Sequence, residues 1–338
     1  MILQYWQKEL PFKYPFTISN GRTKTHQPSL VVALSIGNFV GVGEAPAIAY
    51  YQITVEQMVA DLESKKKMVE KFALTDPERY WHYLHHLFPE NPFLVCALDM
   101  AAWDLFGRMK GKKLYELWNT AWNNTPVTDY TIGIDSIEKM LSKMQELPWP
   151  VYKVKLGTTQ DIVIIQALRA ATDAVIRVDA NAGWTLEEAR EKIPQLAELG
   201  VEMIEQPLAK DNWDGMKQLY QESVLPLFAD ESCVFEQDVL HCANHFHGIN
   251  IKLTKCSGLT PARRMIEKGR ELGMKIMMGS MNESSIGAAA VANFLPQLDY
   301  VDMDGPLLLC EDMATGLVFD YGSVKLEGTA GLGISIQF

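Results

Sequence analysis

Residues 175–208 read VIRVDANAGWTLEEAREKIPQLAELGVEMIEQPL. A short β-rich run ends on Asp179, a helical stretch follows from Leu186 to Leu199, and a second short run ends on Glu205. Two strands joined through a helix run parallel, because only a crossover of that length returns the chain to the same edge. The same alternation extends in both directions. Further strands are expected at 128–134 (TDYTIGI), 151–155 (VYKVK), 226–229 (PLFA), 248–252 (GINIK), 274–278 (MKIMM) and 299–303 (DYVDM), with a helical segment from Thr260 to Leu272 among the connections. With the two strands of the opening stretch these make eight, and eight parallel strands separated by helices close into a barrel.

The text before the barrel is different. Strands are expected at Met1–Tyr5, Leu30–Ile36 and Val40–Glu44, with the polar segment Ser19–His26 as a long loop between them. From about residue 54 to 118 the pattern is helical, most clearly over Pro92–Arg108. After residue 310 the chain returns to turn-rich, strand-like text that is expected to rejoin this first unit. The division is therefore 1–118 for a small α+β domain, 119–309 for the barrel and 310–338 for the returning segment.

Composition limits the function. The chain has 338 residues, 31 Lys+Arg against 42 Asp+Glu, a formal charge of −11 and 48% hydrophobic residues, which is the balance of a folded globule. With no basic run to displace counterions, nucleic acid is not an expected partner. No stretch approaches the roughly 20 apolar residues of a membrane span, and MILQYWQKELPFKY has charges and a proline where a signal peptide needs an apolar core. A cytoplasmic protein is expected. Its five cysteines, without a CxxC pair, then read as reduced thiols. The histidines at 82, 85 and 86 read as packing or surface groups, and those at 241, 245 and 247 precede strand six at the wrong end of the barrel for a site.

Reactive groups of a βα barrel gather where its strands end. Asp179 and Glu205 end strands three and four, and Asp230 follows strand five, so neighbouring strands present an arc of three carboxylates. Three such acids repel one another unless a cation holds them, and an all-oxygen set suits Mg²⁺, one per subunit. Lys153 and Lys155 share one face of strand two, and Lys252 ends strand six, four strands away and so across the barrel. A substrate between them would be touched on both faces, as inversion of a stereocentre requires. To act as a base a lysine must be neutral, so a neighbouring ammonium, burial and the cation are expected to lower its pKa. Lys255 is a weaker competitor for Lys252. On strand eight, Asp302 and Asp304 share a face and can meet a cationic group of the ligand.

These residues resemble the enolase superfamily, and within it the muconate-lactonizing-enzyme subgroup. The resemblance rests on Gly41-x-Gly43-Glu44-Ala45, ALDMAAWDLFGRMKGKKLYELW (97–118), the KxK pair, VDANAGW, IEQPL, ADES, NIKLTKCSGL and MMGSMNESSIG. It implies a (β/α)7β TIM-like barrel under an α+β capping domain built from both chain ends. It also implies that Asp179, Glu205 and Asp230 bind Mg²⁺ and that Lys155 and Lys252 are the acid/base pair, with Lys153 tuning the first and Glu231 pairing with the second. Asp302 and Asp304 look like the pair with which dipeptide epimerases grip the substrate α-ammonium. Arg22 sits where L-Ala-D/L-Glu epimerases place an arginine for the glutamyl carboxylate. Ser257 stands where relatives often have glycine.

The expected activity is therefore epimerisation of a dipeptide, Ala-Glu above all, by two-base 1,1-proton transfer through a metal-stabilised enediolate, in recycling of murein peptides. Two alternatives remain: o-succinylbenzoate synthase or N-succinylamino-acid racemase chemistry on the same scaffold, and a non-catalytic carboxylate-binding relative. Whether the chain forms a homo-oligomer is left open.

Overall fold

A computed structural model of the chain describes residues 1–17 and 23–336. Its first unit is an antiparallel sheet of β1 (Ile2–Thr17), β2 (Thr23–Ile36) and β3 (Phe39–Pro46), followed by α1 (Val55–Lys71), α2 (Pro77–Leu87), α3 (Pro92–Lys110) and the single turn α4 (Leu114–Leu117). The expected first strand is too short, and the expected loop 19–26 is in part strand, since Thr23–His26 belongs to β2. Thr25 and His26 are exposed there, so the start of β2 has no apolar residue to announce it, although Leu10 and Phe12 on the paired stretch of β1 are buried.

Local sequence sets the limits of α3. The Asn91 side chain accepts from the Leu94 amide, Pro92 takes the first helical position, and Gly111, at φ 65°, ends the helix. The Gly-x-Gly motif of β3 then explains itself. A Cβ on Gly41 would lie 2.1 Å from Leu105 N, and one on Gly43 would lie 1.9 Å from Ala97 O, so α3 rests directly on the strand backbone.

Eight parallel strands follow: β4 (Tyr130–Ile132), β5 (Val151–Lys155), β6 (Val175–Asp179), β7 (Val201–Glu205), β8 (Leu227–Ala229), β9 (Gly248–Lys252), β10 (Lys275–Gly279) and β11 (Tyr300–Asp302). They are hydrogen-bonded in sequence order, and a parallel bridge from Thr128 to Val301 joins the two ends into a closed barrel. The helices between them are α5 (Ile137–Glu146), α6 (Asp161–Ala171), α7 (Leu186–Glu198), α8 (Trp213–Glu222), α9 (Glu236–Cys242), α10 (Leu253–Cys256), α11 (Leu259–Glu271) and α12 (Ser285–Ala292), with α13 (Gly305–Leu308) after β11.

Two-residue alternation sorts each strand. In β6, Ile176 and Val178 join the main core shared with the helices, leaving Arg177 and Asp179 for the barrel interior. Inside, Met203, Phe228 and Met277 pack together with Tyr300 as a separate apolar cluster, and charged groups occupy the rest. The last segment, with β12 (Ala314–Thr315), β13 (Leu317–Asp320), β14 (Ser323–Leu326) and β15 (Ser335–Ile336), forms its own two-stranded pairs, β12 with β15 and β13 with β14. It packs back on the first unit: Leu114 N donates to Gly331 O at 3.2 Å, and Cys310 N to Pro11 O at 2.8 Å. Among the described residues, no helix is long and apolar enough to cross a membrane.

Three buried carboxylates join the cap to the barrel and the returning segment. Glu44 of β3 accepts from Ser284 Oγ at 2.5 Å and from the Ser284 and Gly287 amides at the start of α12. Asp99 of α3 accepts from Thr260 N at 2.9 Å and Thr260 Oγ1 at 2.8 Å in the first turn of α11. Both acids meet the positive end of a helix dipole. Asp99 fits only because Gly258, at φ +135°, has no Cβ, which would come within 2.4 Å of Asp99 Oδ2. Asp104 accepts from Val42 N at 2.9 Å and Leu332 N at 2.8 Å, fastening α3 to β3 and to the returning segment. Burial pushes the Asp99 carboxyl up to about 7 despite its hydrogen bonds to Thr260.

Candidate active site

Strand register brings the sequence-selected residues to one rim. Lys155 of β5 lies beside Asp179 of β6, which lies beside Glu205 of β7; on the other side Lys252 of β9 neighbours Gly279 of β10, which neighbours Asp302 of β11. Asp230 follows the end of β8 and closes the arc. Asp179, Glu205 and Asp230 are all buried, as are Asp302 and Asp304.

Ammonium groups neutralise this arc. Lys155 Nζ lies 2.5 Å from Asp179 Oδ2. Lys153 Nζ, itself buried, sits 2.6 Å from Asp302 Oδ2, 2.7 Å from Glu205 Oε2 and 3.3 Å from Asp179 Oδ2. Lys252 Nζ is 2.8 Å from Asp230 Oδ2, and Lys255 Nζ is 2.5 Å from Asp230 Oδ1. Burial opposes the charge of Asp179, but Lys155 and Lys153 outweigh it and push its carboxyl down to about 2. Asp230 is held well below the usual carboxylate range against the same opposition, by Lys252 and Lys255. Glu205 goes the other way: burial and the neighbouring Asp179 charge raise it. Asp304, whose Oδ2 accepts from Thr131 N at 2.6 Å, is raised to about 7 by burial and by Asp302.

Several expectations change. Burial acts to lower the pKa of Lys153 and Lys252, but the facing carboxylates win and raise both. Lys252 pairs with Asp230 and has no ion pair with Glu231, whose Oε2 is buried without a hydrogen-bond partner. Burial, with the Asp230 charge, raises Glu231 to about 8. The Lys153 ammonium links Asp302 to Asp179 and Glu205 of the acid arc. Arg22 lies outside the described residues.

Two supporting residues escaped the sequence reading, and two others take a different part from the one expected. Asn250, two residues before Lys252 and so on its face of β9, donates from Nδ2 to Glu205 Oε1 at 2.8 Å; the two-residue alternation was the signal that marked it. Gln206, at φ 38°, accepts the Asp230 and Ser232 amides on Oε1 at 3.0 and 3.1 Å, and no sequence pattern announces it. Lys255 is a buried tether rather than a competitor for Lys252. Ser257 holds the left-handed φ of 73° at which glycine is commoner, and its carbonyl accepts the Trp81 indole N–H at 2.9 Å.

The donor set suits a hard divalent cation. The three carboxylates offer only oxygen, and they are buried close enough to raise one another's pKa values, with Glu205 Oε2 held by nothing but the Lys153 ammonium at 2.7 Å. As the side chains stand, no group of three or more His, Cys, Asp or Glu among the described residues is arranged to hold a metal ion. The lysine ammonium groups lie against oxygens of all three carboxylates.

Residues 136–338 match the family model described as "Enolase C-terminal domain-like". The chain belongs to the enolase superfamily. A protein of Flavobacterium johnsoniae named L-Ala-D/L-amino acid epimerase is 52% identical over 97% of both chains. The L-Ala-D/L-Glu epimerase of Bacteroides thetaiotaomicron is 36% identical, covering 99% of this chain and 88% of its own. Among solved structures, a substrate-liganded complex of the L-Ala-D/L-Glu epimerase from Bacillus subtilis superposes with a TM-score of 0.93 at 28% identity, covering 99% of this chain and 98% of that one. A dipeptide epimerase of Enterococcus faecalis complexed with Mg and L-Leu-L-Tyr gives 0.92 at 28% identity and 99% coverage of both chains. Within the superfamily, then, this chain is an isomerase.

Proposed function

We propose that this protein is a cytoplasmic Mg²⁺-dependent dipeptide epimerase, with L-Ala-D/L-Glu as its first substrate and recycling of murein peptides as its setting. The observation that carries this reading is the placement of Lys155 and Lys252 on strands four apart in a closed eight-stranded barrel, with Asp179, Glu205 and Asp230 on the rim between them.

Asp179, Glu205 and Asp230 would hold the Mg²⁺. The cation supplies stabilisation for the negative charge that grows on the substrate carboxylate as its α-proton leaves. Lys155 and Lys252 face that α-carbon from opposite sides, one removing the proton and the other returning one, so the centre inverts. Each must first leave the carboxylate it pairs with here, Asp179 for Lys155 and Asp230 for Lys252. Lys153 stays as fixed positive charge beside Asp302 and Glu205. Asp302 and Asp304 receive the substrate α-ammonium, which favours a free dipeptide over the N-succinylated substrates of the alternative chemistry. Arg22 is proposed to meet the glutamyl carboxylate.

Incubation of the enzyme with L-Ala-L-Glu and Mg²⁺ in D₂O, followed by NMR, tests the reading. Deuterium at the glutamyl α-carbon and appearance of L-Ala-D-Glu are expected, and absence of both rejects it.

A further inference from the structure

Lys255 has no part in the proton transfer, yet it is one of the largest fully buried side chains in the protein. An ammonium so buried persists only where acceptors surround it. Its Nζ contacts Asp230 Oδ1 and Asp230 O, each at 2.5 Å, then Cys233 O at 2.9 Å and Asn250 O at 3.4 Å. It therefore grips one oxygen of the Asp230 carboxylate together with the backbone on either side of it. The other oxygen, Oδ2, is held by Lys252 at 2.8 Å. The two contacts differ in kind. Lys252 keeps a tenth of its side chain exposed, whereas Lys255 is fully enclosed on α10 and has its remaining donors committed to main-chain carbonyls.

We propose that Lys255 is a positioning residue for the metal: by retaining Asp230 Oδ1 it makes Asp230 a ligand through Oδ2 alone and so tunes the site for Mg²⁺ over larger cations. The chemistry favours this. Mg²⁺ demands near-octahedral geometry with single-oxygen ligands, while Ca²⁺ takes more ligands and accepts carboxylates through both oxygens. Because Lys252 and the metal need the same Oδ2, metal binding frees Lys252 for the reaction.

The inference rests on the ligand set proposed above, and its test separates the two. Calorimetric titration of Mg²⁺ and Ca²⁺ into the stripped enzyme is compared for wild type, Lys255→Met and Lys252→Met. For Lys255→Met, Mg²⁺ affinity is expected to fall by about ten- to a hundredfold and Ca²⁺ affinity by less, moving the ratio of dissociation constants toward Ca²⁺ by about tenfold. Lys252→Met is expected to bind Mg²⁺ more tightly than wild type, since it removes the competitor for Oδ2. Equal losses for both ions in a folded Lys255→Met overturn the proposal. If that variant does not fold, a crystal structure of wild type with Mg²⁺ decides: Asp230 Oδ1 on Lys255 and only Oδ2 on the metal supports it, and an Asp230 bound through both oxygens overturns it. Failure of wild type to bind Mg²⁺ at all is instead a failure of the ligand set.

Discussion

Asp99→Asn should make the protein more tolerant of alkali. In the native state the Asp99 carboxyl is raised from 3.8 to about 7 by burial, more than its bonds to Thr260 recover. Over that interval the folded protein keeps a proton that the unfolded chain gives up, so stability falls as pH rises. The contribution is present in full below the unfolded pKa of 3.8 and lost as pH rises through about 7. A shift of about 3 units at 1.36 kcal/mol each corresponds to about 4 kcal/mol between pH 4 and pH 8. Asparagine has the same shape, accepts the Thr260 amide and carries no proton to lose. Urea denaturation followed by tryptophan fluorescence, repeated from pH 4 to pH 8, should show the difference between variant and wild type moving by about that amount in favour of the variant. Parallel curves, or a movement in the opposite sense, would refute the assignment of the shift to burial at this contact.

Four further outcomes are expected. Lys155→Ala and Lys252→Ala should each abolish epimerisation, while α-proton exchange in D₂O survives from one epimer only, and from the opposite epimer in the two variants. Asp302→Asn should lower kcat/KM for free dipeptides by about a hundredfold, the loss of a charge-assisted contact to the substrate ammonium, as read by steady-state kinetics. Chelation with EDTA should stop turnover, and added Mg²⁺ should restore it, as read by polarimetry. Gly43→Ala places a Cβ 1.9 Å from Ala97 O in the bed of α3 and should cost about 3 kcal/mol or more, visible as a large drop in Tm.

The barrel was legible because its strands alternate between an outer face packed under helices and an inner face that in β5, β6, β7, β9 and β11 carries charged groups, so VIRVD or GINIK announces both its conformation and its site residue. The ends of β1 and β2 were not legible. Leu10 and Phe12 of β1 do turn to the core, but Pro11 and Pro15 interrupt the run and Thr25 and His26 of the paired β2 segment are open to solvent, so nothing on that side marks a strand. The candidate site divides in the same way. Residues on strands (Lys153, Lys155, Asp179, Glu205, Lys252, Asp302) could be placed by parity, and Asn250 was within reach of the same rule. Gln206 acts from the bend after β7, at φ 38°, and Lys255 from the single helical turn α10, so neither side chain's direction follows from strand parity. The contacts of Lys153 were out of reach too, because sequence shows which charges are adjacent along the chain, not that this ammonium lies against three carboxylates from three other strands.

Glu44 and Asp99 reach across from one unit to seat in the first turns of two helices of the other, and this limits how the enzyme can admit its substrate. A carboxylate withdrawn from such a socket would leave amides and a hydroxyl without acceptors in a dry interior, so the upper unit cannot hinge away as a body at each turnover. Entry and exit must be managed by small surface elements at the mouth, and the two units should melt as one. A barrel expressed alone, from residue 119 onward, would have both sockets open and should be recovered as aggregate rather than as a smaller working enzyme.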